Sequence, residues 1–181
     1  MQWRNNQHRY GFVSIMLHWV AALTVFGLFA LGYWMVGLGY YDTWYHRAPD
    51  IHKSIGMLLL ALMVMRLIWR HVSPVPPPLP THGLVTRRAS KAGHLLLYFG
   101  LFAVMIAGYL ISTADGVGVS VFGWFTVPAS ITGGSTQADV GGVIHKYAAW
   151  SLVIFAVLHG LAALKHHFID RDRTLVRMLG R

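Results

Sequence analysis

Four histidines, His18, His52, His145 and His159, fall at matching depths of long apolar runs, and they are the side chains in this sequence best placed for chemistry. An imidazole in hydrocarbon is costly unless it is bound to something, so four in one short chain call for a ligand. Haem iron, held by histidine nitrogen, meets that requirement. A single such histidine is also explained by an interhelical hydrogen bond. A zinc or copper transporter is a third use of membrane histidines, but it would be expected to bring acidic or sulfur ligands into the runs. None of the four runs contains Asp or Glu, and the eight methionines are scattered as apolar filler.

His145 and His159 are fourteen residues apart. On a helix that spacing is roughly 40° short of four turns and about 21 Å along the axis, so the two share a face at opposite ends. His18 lies about one and a half turns into the first run, and His52 opens the second. Depth then pairs His52 with His145 and His18 with His159. The residue four positions after each of these histidines is small: Ala22, Gly56, Ala149 and Ala163. Position i+4 lies on the same helix face, so a small side chain there leaves room for a flat macrocycle. His94 is followed by Tyr98 instead and is expected not to ligate iron, although its depth would allow it.

The elements that must position these side chains are four apolar runs, 12–38, 51–69, 94–114 and 143–164. Each reaches the roughly 20 residues needed to cross a bilayer as a helix. Hydrophobic residues are 55% of the 181, charged residues only 12%, and the mean hydropathy is +0.50. These values lie outside the range of soluble domains and give the fold class: an all-α membrane protein, a four-helix transmembrane bundle forming one domain over 1–181. The first run follows Arg4 and Arg9, as a secretory signal would. It is too long, and no small-x-small cleavage site follows it, so it is expected to be a retained span.

The N-terminus, the second loop and the tail hold twelve of the fifteen Lys and Arg residues. The first and third loops hold only Arg47, Lys53 and Lys146, together with Asp42, Asp50, Asp115 and Asp139. The positive-inside rule places both termini in the cytoplasm. A net charge of +9 is thus mainly a topology signal, suits anionic membrane lipid, and calls for no nucleic acid. The segment 73–80, Ser-Pro-Val-Pro-Pro-Pro-Leu-Pro, is expected to run extended between the second and third spans. In the third loop, the apolar stretch 119–125 is too short to span and is expected to lie at the interface as a lid. There is no cysteine, which excludes disulfides, thiolate ligands, iron–sulfur clusters and covalent C-x-x-C-H haem attachment.

His18-Trp19, the Ile51-His52-Lys53-Ser54-Ile55-Gly56 opening of the second run, His145 with His159, and the tail Lys165-His166-His167-Phe168-Ile169-Asp170 resemble the bacterial cytochrome b561 family across essentially the whole chain. The resemblance implies a four-helix bundle in the bacterial inner membrane with two b-type haems as cofactors. The outer haem would fall on His52 and His145, the cytoplasmic haem on His18 and His159. The family includes dihaem subunits that anchor hydrogenases and formate dehydrogenases, and a stand-alone superoxide oxidase that passes electrons to ubiquinone. The implied function is single-electron transfer between a periplasmic-side donor, superoxide or a periplasmic redox protein, and ubiquinone.

Lys53 and Lys146 each follow an outer-haem histidine. They are interfacial lysines facing propionates or lipid phosphates, or a small cationic funnel that draws superoxide to the haem edge. Arg66, fourteen residues after His52, either snorkels to the cytoplasmic surface or holds a haem propionate. At the same level His94, Arg87, Arg88, Lys91, His166 and His167 form an interfacial belt or a quinone pocket, and of these His94 is the expected quinone contact.

Overall fold

The structure, a computed structural model, describes residues 2–180. Four long helices, α1 (Phe12–Met35), α2 (Arg47–Val72), α3 (Leu84–Thr113) and α4 (Gly134–Phe168), are each apolar and long enough to cross a membrane. A short helix α5 (Thr174–Met178) closes the tail. A helix satisfies its own backbone hydrogen bonds, which hydrocarbon demands of any spanning segment. The expected fold class holds: an all-α membrane protein built on four transmembrane helices.

α2, α3 and α4 begin before the apolar runs, whereas α1 ends at Met35, three residues short of the run 12–38, where Gly37 and Gly39 break the helix. α3 begins at Leu84 and α4 at Gly134, well before the runs that start at 94 and 143. Hydropathy marks only the part of a helix suited to hydrocarbon, and the backbone ladder continues through polar residues. Arg87, Arg88, Ala89 and Lys91 at the start of α3 are helix formers. The first turn of α4 is held by Gln137, whose Oε1 accepts from Gly133 N at 2.7 Å while Nε2 donates to Leu110 O at 2.8 Å.

By contacts the chain divides into two compact units. The first gathers Met1–Ala22, Leu62–Tyr98 and Ile154–Arg181, and the second Leu23–Ala61 and Phe99–Val153. Ile15, Ala21, Met63 and Ser73 are buried in the first. A polar clasp there joins three segments. Asn5 N donates to Ser73 Oγ at 2.9 Å, Asn5 Nδ2 to Ser73 O at 3.1 Å, Ser14 Oγ to Asn5 Oδ1 at 2.7 Å, and Trp69 Nε1 to Ser14 Oγ at 3.0 Å. The proline segment beyond Ser73 has no regular structure, as expected.

In the second unit the stretch expected at the interface is a β-hairpin. β1 (Val119–Val121) pairs antiparallel with β2 (Phe125–Val127), with Val119 opposite Val127 and Val121 opposite Phe125. The turn passes through Phe122 and Gly123, both left-handed at φ 50° and 74°. Val119 and Val121 are buried, and the hairpin is fastened to α2 through buried Ser54, which accepts from Phe122 N at 3.0 Å and donates to Ser120 O at 3.4 Å. Large apolar side chains such as Leu23, Leu95 and Phe99 are about 70% exposed, as surfaces solvated by lipid are.

Candidate functional site: two histidine pairs

Each unit holds one pair. In the second unit α2 carries His52 and α4 carries His145, with ring centroids 6.1 Å apart and planes at 70°. His145 Nδ1 lies 2.8 Å from Val104 O of α3. A carbonyl can only accept, so Nδ1 carries a proton and Nε2 is the nitrogen left to a metal. His52 Nδ1 is buried without a hydrogen-bond partner. Both rings are admitted by glycines on neighbouring helices. A Cβ on Gly108 would meet His145 Cε1 at 3.0 Å, and one on Gly32 would meet His52 Cε1 at 3.1 Å. A Cβ on Gly56 would meet nothing within 4 Å, so the room expected beside His52 is present.

In the first unit α1 carries His18 and α4 carries His159, at 6.4 Å and 70°. With metal–nitrogen bonds of about 2 Å, two imidazoles on opposite sides of one ion hold their ring centres roughly 6 Å apart. Both pairs therefore fit bis-histidine ligation of haem iron. His94 approaches His159 more closely, at 5.2 Å, is exposed, and donates through Nδ1 to Ser90 O at 2.8 Å within its own helix.

Arg66 turns toward the pair, with Nη2 at 3.1 Å from His18 Nδ1 and the guanidinium 5.6 Å from the Tyr98 ring centre. Arg70 approaches the same ring at 5.7 Å. The large residue that interrupts the small-residue pattern is thus the platform for two guanidinium groups. Arg87, Arg88 and Lys91 are exposed on the first turns of α3, and His166 faces His82 and Asp172 instead of the pair. Trp19, beside His18, donates through Nε1 to Met178 O at 2.9 Å and so ties the tail to α1.

Lys53 makes an ion pair with Asp50 at 2.9 Å. Lys146 is exposed and has no ion pair among the described residues. Two surface pockets, lined by Gln2, Arg9, Tyr10 and Gly180 and by Asn6, His8, Arg9, Arg173 and Arg177, include none of the paired histidines. The sequence did not mark Gly32, Gly108 or the Val104 carbonyl, and it marked Tyr98 without its role. The first three act from a helix other than that of the histidine they serve, and spacing along one helix cannot register them. Tyr98 alone left a signal, as the exception at position i+4 of His94.

A family model described as prokaryotic cytochrome b561 matches residues 9–181. The chain is 56% identical over its full length to "Cytochrome b561 homolog 2" of Escherichia coli strain K12, covering 96% of that protein. It is 28% identical to "Probable superoxide oxidase CybB" of Yersinia pestis, over 94% of this chain and 96% of that one. It is 26% identical to "Cytochrome b561 homolog 1" of E. coli, over 96% and 98%.

Proposed function

Because the chain belongs to the prokaryotic cytochrome b561 family, and so is a multi-pass bacterial membrane protein of haem b electron transfer, we propose that it holds two haems b and carries single electrons from superoxide, on the periplasmic side, to ubiquinone. The observation that carries this reading is the pair of histidine couples, one in each unit, spaced for bis-imidazole ligation. Haem b held by two histidines exchanges single electrons through its edge and has no open position for oxygen chemistry at iron.

The other residues take roles that their contacts support. Holding haem iron through Nε2, His18 would carry its proton on Nδ1 and would not accept from Arg66. The guanidinium, kept at that level by Tyr98, is then free to take a propionate as a bidentate, charge-assisted partner. Neutral His94, whose Nδ1 proton is committed to Ser90 O, has Nε2 free to accept from a quinol hydroxyl, and in its imidazolium form it donates to a quinone oxygen. With both termini cytoplasmic, His52, His145, Lys53 and Lys146 lie on the periplasmic side. Lys146 supplies the unshared positive charge of the funnel, whereas Asp50 offsets that of Lys53.

That offset favours a second reading, in which the chain is a non-enzymatic electron-transfer subunit and a periplasmic redox protein is the donor. Stopped-flow mixing of the oxidised protein with superoxide, with and without ubiquinone, separates the two. Fast haem reduction followed by reoxidation by quinone is the result expected for the oxidase. Lys146→Gln should then slow reduction several-fold and flatten its salt dependence, and Asp50→Asn should speed it, because focused fields act on encounter rates. Reduction by dithionite but not by superoxide would establish the subunit reading.

A further inference from the structure

Within the first unit, three segments distant in sequence bring titratable side chains to one point apart from the histidine pair. His82 comes from the loop between α2 and α3, His166 from the last turn of α4, and Asp172 from the tail before α5. His82 Nε2 is 2.8 Å and His166 Nδ1 3.4 Å from Asp172 Oδ2, and the three atoms lie within 4.8 Å of one another. The two imidazoles overlap at a tilt, with centroids 5.0 Å apart.

Each donor is held in place. Thr174 N donates to Asp172 Oδ1 at 2.7 Å and leaves Oδ2 for the imidazoles. The backbone closes the same loop, with Asp172 N donating to His166 O at 3.0 Å. Burial pushes the Asp172 carboxyl upward, but hydrogen bonding from Thr174 and His82 prevails and holds it at about 2, so the oxygen ligand is ionised at neutral pH. His166 Nδ1 is buried and lacks a hydrogen-bond partner. Its nearest carboxylate oxygen, Asp170 Oδ2 at 2.7 Å, is off the direction a hydrogen bond needs, and both Asp170 oxygens are engaged by Lys165 at 2.8 and 2.7 Å.

We propose that His82, His166 and Asp172 bind a divalent transition-metal ion of the zinc class, which fastens the loop after α2 and the tail to the end of α4. Two imidazole nitrogens and one carboxylate form a donor set zinc accepts, with solvent completing the tetrahedron, and two nitrogen donors disfavour magnesium and calcium. Tetrahedral bonds of about 2.0–2.2 Å set donors roughly 3.4 Å apart, so the ion replaces the proton between His82 Nε2 and Asp172 Oδ2, widens that contact from 2.8 Å, and draws the two imidazole nitrogens together. That movement is within reach of a loop residue and a side chain at a helix end. Asp172 Oδ1 on Thr174 N is the outer contact that orients a ligating carboxylate. The tail so fastened is the one whose Met178 carbonyl accepts from Trp19, next to His18.

The test is zinc chloride added to the haem-loaded, untagged, full-length protein in detergent after chelator treatment, followed by isothermal titration calorimetry and zinc-edge X-ray absorption. The expected result is one zinc per chain with two imidazoles and light-atom donors in its shell. Affinity should fall by more than about tenfold in His82→Ala and in Asp172→Asn, since even outer contacts of metal sites are worth that much. It should be unchanged in His167→Ala, and the haem content and spectrum should be unaltered in all three. Absence of stoichiometric binding, a shell with fewer than two imidazoles, or equal affinity in His82→Ala and Asp172→Asn would overturn the proposal. The absorption measurement on the unmodified protein decides the case if a variant does not fold.

Discussion

At the scale of single residues, the pairing of histidines makes a separable prediction. His52→Ala or His145→Ala should remove one haem and leave the other, and His18→Ala or His159→Ala should remove the complementary one. The ratio of haem to protein would fall from two to one in each case, while His94→Ala should keep both. Haem extraction with quantification, together with the low-temperature spectrum of each variant, checks this. Gly108→Ala tests the close approach. A Cβ there would meet Cε1 and Nδ1 of His145 at 3.0 and 3.1 Å and compete with the hydrogen bond to Val104 O. The ring must give by a few tenths of an ångström, which should move the reduction potential and the EPR g-values of that centre, with the other centre unchanged. The histidines were legible in the sequence because an expensive residue type recurred at a helical spacing. The glycines that admit them were not, because glycine is common in membrane helices and its partner here lies on a different helix.

At the scale of elements, the hairpin and α2 are joined through one side chain. Ser54→Ala leaves the Phe122 N–H without its acceptor. A hydrogen bond of this part-buried kind is worth roughly 0.5–1.5 kcal/mol, so amide exchange at Phe122 should quicken several-fold, up to about tenfold. If exchange through 119–127 is unaltered, Ser54 is not what fastens the hairpin. The four spans were legible from hydropathy, and α2 and α4 contain the runs expected of them in full. The ends were not legible, because helical hydrogen bonding does not stop where apolarity does. Nor was the hairpin, since Val119-Ser120-Val121 reads equally as an apolar patch until a turn with two left-handed residues pairs it with 125–127.

At the scale of the whole molecule, the orientation proposed from the distribution of Lys and Arg is directly measurable. The chain has no cysteine, so Ser90→Cys and Ser130→Cys give single labels without background. A membrane-impermeant maleimide added to intact cells should label Ser130→Cys, in the third loop, and spare Ser90→Cys, in α3 before its apolar run. The reverse pattern would invert the topology and with it the side on which superoxide is met. The division of contacts into two units, each with its own histidine pair, was foreshadowed only by the depths of the histidines. One consequence concerns biosynthesis. Both pairs take their second member, His145 or His159, from α4, the last of the long helices. If the pairs hold haem as proposed, a ribosome that stalls before His145 releases a chain with neither pair complete, so colour would mark chains whose translation has passed into α4.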